Sequence, residues 1–140
     1  MSTRAIVNFY DRWPQRDTKT GRFAKSETTL KAKIYRHGDG YPAGLGKDLK
    51  TFLNLVRDTL KDTRFNSASY LSAKWVVHDA ERMAKYQTFN SSTGNYDPVT
   101  NPLNFLSVGI MMKDPWDIEY VYDVICHRRG NAPVITCTKV

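Results

Sequence analysis

Ile34–Lys47 (IYRHGDGYPAGLGK) decides how this chain folds, because one periodicity ends in it and another begins. Upstream, Leu30, Ala32 and Ile34 alternate with Lys31, Lys33 and Tyr35. A period of two with one apolar and one basic–aromatic face predicts a half-exposed antiparallel strand over 29–37. Downstream, Leu49, Phe52, Leu53, Val56 and Leu60 fall at helical spacing, which predicts a helix from about Leu45 to Leu60. Between them two glycines flank Asp39 and Pro42 fixes the exit, so the chain must turn sharply here.

Working outward, RAIVNFYD (Arg4–Asp11) alternates as a first strand that pairs with the second. Residues 12–29 show no sustained period. They carry Arg12, Arg16, Lys19, Arg22 and Lys25 against Asp17 and Glu27, with Trp13 and Phe23 interleaved, and are expected to form a basic hairpin loop or arm. Cations among aromatics suit phosphates and bases; the plainer interpretation is a solvated insertion between paired strands. Beyond the first helix, Ser67 is an expected N-cap. Ala73, Val76, Val77, Ala80, Met83 and Ala84 form the expected buried stripe of a second helix, with His78 on its charged, solvated side.

Residues 86–104 are rich in Ser, Thr, Asn, Gly and Pro and read as a polar loop, with Phe89, Asn90, Asn95, Tyr96 and Asp97 available to a small ligand. The last third reads as three strands, Phe105–Met112, Ile118–Cys126 and Val134–Val140, joined as a meander. The expected fold is therefore α+β: one domain over 1–140, ordered β-β-α-α-β-β-β. A mostly antiparallel five-stranded sheet would carry two helices on one face. Tyr35, Tyr120 and Tyr122 would join an oligomer surface if they lie on the other face.

Composition bounds the function. The chain has 140 residues and a net charge of +7, which favours anionic partners but also suits ordinary solubility. No run of 18 apolar residues occurs and the N-terminus has no apolar signal core, so the expectation is a cytoplasmic protein. Cys126 and Cys137 are then expected to be reduced, buried small hydrophobes. No His, Cys or carboxylate spacing reads as a metal site, and no nucleophile–base set appears, so neither a cofactor nor a metal is expected.

The central loop offers the most chemistry. A glycine-rich helix start presents free N–H groups to an anion, and Arg36 and Lys47 flank it. It is not a P-loop, since GLGK lacks the spacing and Asp48 follows Lys47. The expected ligand-binding set is Arg36, His37, Asp39, Gly40, Tyr41 and Lys47, with Arg128 and Arg129 of the HRRGN turn as a second cationic clamp. The plainer interpretation is a tight strand-to-helix turn in which Asp39 satisfies backbone donors. His37 and Asp39, two apart, would share a face of an extended segment and so also admit a phosphoesterase.

The segments MSTRA (Met1–Ala5) and YRHGDGYP (Tyr35–Pro42) carry a resemblance. Together they resemble a family of small phage and prophage proteins, related to the phage anti-Thoeris sponges that sequester cyclic nucleotide signals of host immunity. The resemblance covers those two segments alone. It implies a non-enzymatic homo-oligomer with a pocket for a cyclic nucleotide. Three functions are thus expected in order. The first is sequestration of a nucleotide or phosphate-bearing signal. The second is inhibition of host defence by binding nucleic acid or protein through the basic loop. The third is phosphoester hydrolysis.

Overall fold

Two long strands, β1 (Ala5–Arg16) and β2 (Phe23–Arg36), form the spine of the fold. The computed structural model describes residues 2–16, 18–60, 67–85, 87–98, 106–127 and 132–140. After β2 a π-helical turn (Pro42–Gly46) leads into α1 (Lys47–Leu55), short α2 (Arg57–Leu60) and α3 (Ala68–Ala84). The strands β3 (Gln87–Asn90), β4 (Asn95–Pro98), β5 (Val108–Ile110), β6 (Tyr120–His127) and β7 (Val134–Lys139) follow. The main sheet has five strands in the order β5-β2-β1-β6-β7, and β3 and β4 form a separate hairpin. The fold is α+β, as expected.

Three of the four sheet pairings are antiparallel, but β1 and β6 run parallel, from Ala5↔Tyr120 to Arg12↔His127. This corrects the expected C-terminal meander. β5 pairs with β2 at the far edge, so the chain must cross two strands before β6. Residues 111–119 make that crossing on the face opposite the helices. Asp114 is ion-paired with Lys33, Asp117 with Arg4, and Glu119 N–H donates to the Arg4 carbonyl. Ile6, which points to that face, is thereby fully buried. The expected strand Phe105–Met112 is only three residues long, because the chain leaves the edge at Met111 to cross.

The helix-facing side follows from the period of two. Ala5, Val7 and Phe9 of β1, Ile34 of β2, and Tyr122, Val124 and Cys126 of β6 are all buried. They meet Leu45, Leu49 and Phe52 of the first helical segment and Ala68, Leu71 and Trp75 of α3. Tyr122 therefore belongs to the core and Tyr35 to the opposite face. Burial pushes the Cys126 thiol up to about 12, with the Asp11 carboxylate adding to it. Cys137 corrects the expectation of two buried thiols: it is exposed on β7, an edge strand.

Two helical expectations are also revised. The first helix breaks at Val56, whose backbone (φ −98°, ψ 4°) is not helical. In α3 the buried residues are Ala68, Leu71, Ser72, Trp75 and Asp79; of the expected stripe, Val76 packs at the core margin, Ala80 and Met83 are half-buried, and Ala73, Val77 and Ala84 turn away. Ala73 is exposed and Val77 is 58% exposed. His78 is half-buried, stacked on Trp75 with ring centres 5.6 Å apart and close to Phe52 at 5.3 Å. The start of α3 follows expectation: Ser67 Oγ accepts from Tyr70 N–H at 3.4 Å. Asp11 of β1 adds a second cap, accepting from Ala68 N–H at 2.8 Å, and so ties the base of the first hairpin to α3.

Candidate functional site

The central loop is built as a joint between sheet and helix. Asp39 has φ 54°, a left-handed conformation that Asp tolerates better than most residues. Its carbonyl accepts Leu45 N–H at 2.8 Å and the Tyr41 carbonyl accepts Gly44 N–H at 2.9 Å. Gly40 N–H donates to the Thr3 carbonyl at 2.9 Å, and the Gly40 carbonyl accepts the buried Tyr122 hydroxyl at 2.7 Å. Pro42 has no N–H, so much of the helix start that would greet an anion is already spent within the loop.

Two glycines permit this closeness. A Cβ on Gly40 would stand 2.8 Å from both the Ala5 Cβ and the Thr3 carbonyl oxygen, and one on Gly44 would stand 2.5 Å from the Asp39 carbonyl oxygen. These obstacles are backbone or core, not flexible side chains. Gly40→Ala and Gly44→Ala should each lower stability by about 1–3 kcal/mol in urea unfolding. Gly38→Ala, which meets nothing within 4 Å, serves as the neutral control.

Arg36 is 1% exposed and does not flank the loop as an open cation. Its guanidinium pairs with Asp48 at 2.9 Å and lies over the Trp75 ring, 5.9 Å from its centre. Asp79, fully buried, sits 4.0 Å from Arg36 Nε and accepts from Arg82 at 3.0 Å. Ser107 Oγ donates to Asp79 at 3.3 Å and accepts from Arg82 at 3.1 Å. This cluster clasps β2, α1, α3 and the approach to β5. Among the described residues, Arg36 Nη1 and Trp75 Nε1 make no hydrogen bond. Asp48, Asp79, Arg82 and Ser107 were not singled out from the sequence. The one available signal is that Asp79 follows Trp75 by four residues, on the same side of α3.

The other expected loop residues stay outside. His37 is exposed, with Nδ1 3.1 Å from the Tyr35 hydroxyl, while its N–H donates to the Ser107 carbonyl at 2.9 Å. The Asp39 carboxylate accepts the Tyr41 hydroxyl at 3.2 Å. Each is thus held by a tyrosine rather than by the other. Lys47 is exposed and Tyr41 is 41% exposed. Arg128 and Arg129 lie outside the described residues. Among the described residues, no group of three or more His, Cys, Asp or Glu side chains is placed to hold a metal ion.

In the basic segment 12–29, expected as a hairpin loop or arm, the backbone is mostly paired strand. β1 and β2 remain paired out to Arg16↔Phe23, whereas among the described residues β6 accompanies β1 as far as Arg12. A two-stranded ribbon therefore runs on past the sheet, closed by a turn with Gly21 at φ 70°. The strands shift register at Phe9/Tyr10 inside the sheet and at Pro14/Arg16 on the ribbon, the kind of irregularity that raises local twist. Arg12, Lys19, Arg22 and Lys31 are exposed, and Arg16 and Lys25 occupy strand positions near the turn. Over residues 12–31, six cations face two carboxylates, which is +4 of the chain's +7.

No family model, curated protein or solved structure matches this chain. Its chemistry must be taken from its own geometry. Two further surfaces stand out. The β3–β4 hairpin, within the stretch expected as a polar loop, pairs exposed Phe89 with exposed Tyr96, ring centres 5.4 Å apart. A groove of 340 Å³ between α1 and α3 is lined by Phe52, Leu55, Val56, Ala73, Val77 and His78, among others. Residues 99–104 of the expected polar loop lie outside the described residues.

Proposed function

We propose that this chain is a non-enzymatic binding protein that captures nucleic acid on its β1–β2 ribbon. The observation that supports this is the ribbon itself: paired backbone running on past the sheet, in a segment with six cations against two carboxylates over residues 12–31. Cations on a projecting ribbon release counterions from phosphates, a term that supplies most non-specific affinity. In the setting implied by the phage resemblance, such capture would act on a host defence system.

Fluorescence anisotropy with labelled duplex and single-stranded oligonucleotides, titrated from 50 to 200 mM salt, tests the proposal. The expected result is affinity that falls steeply with salt, and falls about tenfold or more when Lys19 and Arg22 are both replaced by glutamine. A flat salt response, or binding to polyglutamate alone, overturns it.

A second reading, sequestration of a small nucleotide by the central loop, is favoured by one observation. His37, Asp39, Tyr41 and Lys47 are all exposed on a backbone held in place by hydrogen bonds. It predicts calorimetric binding of cyclic nucleotides that survives the ribbon substitutions. Any ligand released on denaturation should be chemically intact, which separates sequestration from hydrolysis by His37 and Asp39.

A further inference from the structure

We infer that the ribbon is shaped for the major groove of B-form DNA, an inference that rests on the nucleic-acid reading above. Three observations carry it. First, among the described residues the element is one paired ribbon without a third strand past Arg12. A two-stranded ribbon enters a major groove about 12 Å wide without deforming the duplex, whereas a minor groove about 6 Å wide must be bent open to take it. The A-form major groove of duplex RNA is deep and narrow and closes it out.

Second, the length fits. Four residues of β1 lie past the sheet, from Trp13 to Arg16, followed by the turn. At ~3.3 Å per residue they project roughly 13 Å before the turn is added. That exceeds the ~8.5 Å depth of the major groove, so the tip reaches the floor before the sheet meets the backbone.

Third, the residues are graded along the ribbon. The tip sequence Thr18-Lys19-Thr20-Gly21-Arg22 is narrow and polar, with Lys19 and Arg22 exposed. Lys and Arg are the usual donors to guanine O6 and N7, and the threonines offer hydroxyl and methyl contacts. Arg12, exposed where the ribbon leaves the sheet, is placed for the phosphates at the groove's lip. The Asp11 carboxylate, accepting from Ala68 N–H at the α3 N-terminus, anchors that base to the helical layer.

The test uses the full chain and four probes of one sequence: a 20-base-pair DNA duplex, the matching RNA duplex, single-stranded DNA, and the DNA duplex pre-loaded with a groove ligand. The expected order is DNA duplex tighter than RNA duplex by about tenfold or more. Methyl green, which fills the major groove, should compete; netropsin, which fills the minor groove, should not. Lys19→Gln with Arg22→Gln should bring the DNA duplex down to the RNA level. Arg12→Gln should weaken both duplexes together and flatten the salt slope by about 1. Equal binding of DNA and RNA duplexes, or competition by netropsin, overturns the groove assignment while leaving nucleic-acid capture standing. Absence of binding to every probe overturns both.

Discussion

Asp79→Ala should destabilise the fold by about 3–5 kcal/mol, measured as a lower urea midpoint at unchanged slope. Asp79 is fully buried and receives Arg82 and Ser107 while facing Arg36 at 4.0 Å. Arg36 is itself 1% exposed, so removing the carboxylate leaves a buried guanidinium with Asp48 as its remaining ion-pair partner. Desolvation of a buried charge left with a single partner dominates that change, not the lost attraction of one pair. The corresponding double variant makes the distinction. Arg36→Met with Asp79→Leu removes both charges and keeps the volume, and should recover most of the loss. Asp48 is 31% exposed in its side chain, so Asp48→Ala should cost far less than Asp79→Ala. A loss below about 1 kcal/mol for Asp79→Ala would mean that water reaches the cluster.

The same cluster shows why part of the fold was legible and part was not. Alternation in β1, β2 and β6 and the helical spacing of Leu49 and Phe52 placed the core face correctly, because those residues answer to burial alone. In α3 the signal was misleading. Its buried face includes Ser72, which donates to the Ser69 carbonyl at 3.0 Å, and Asp79, which is satisfied by Arg82 and Ser107. Counting apolar positions therefore selects Ala73 and Val77, which face outward and line the groove beside α1. A polar residue with a buried partner looks the same in sequence as one in water.

Strand order was hidden for a different reason. Alternation tells which face a side chain takes but not which strand lies beside it. The parallel β1–β6 pairing depends on residues 111–119 crossing the sheet, which Arg4 and Lys33 hold from strands far away in sequence. The central loop was legible as a turn but not in its chemistry. Arg36 reads as a free cation because Asp48 and Asp79 approach it only once α1 and α3 have packed. Much of the YRHGDGYP box is accounted for by that joint: a buried arginine, a left-handed aspartate and Gly40 in close contact with the first strand. Any ligand role left to the loop falls to His37, Asp39, Tyr41 and Lys47, whose side chains remain at the surface.

Trp75→Ala should be the other large loss, about 3–5 kcal/mol. Trp75 is among the largest fully buried side chains and stands at the crossing of three contacts. Its edge meets the Phe52 ring at 5.3 Å and 67°, its face carries the Arg36 guanidinium, and His78 stacks on it. Alanine would open a cavity, and it would also remove the aromatic floor under a buried cation, a contact that gains strength when desolvated. The two causes separate in Trp75→Phe and Trp75→Leu. Phenylalanine keeps a ring for Arg36 and His78 and deletes the indole N–H, which has no partner among the described residues. Leucine fills part of the space but offers no π face. If cavity formation alone sets the loss, the two variants should differ by no more than their volumes require. If the cation–π contact matters, Trp75→Leu should be weaker than Trp75→Phe by a further ~0.5–2 kcal/mol. That surplus should vanish in an Arg36→Met background, because no cation would remain over the ring.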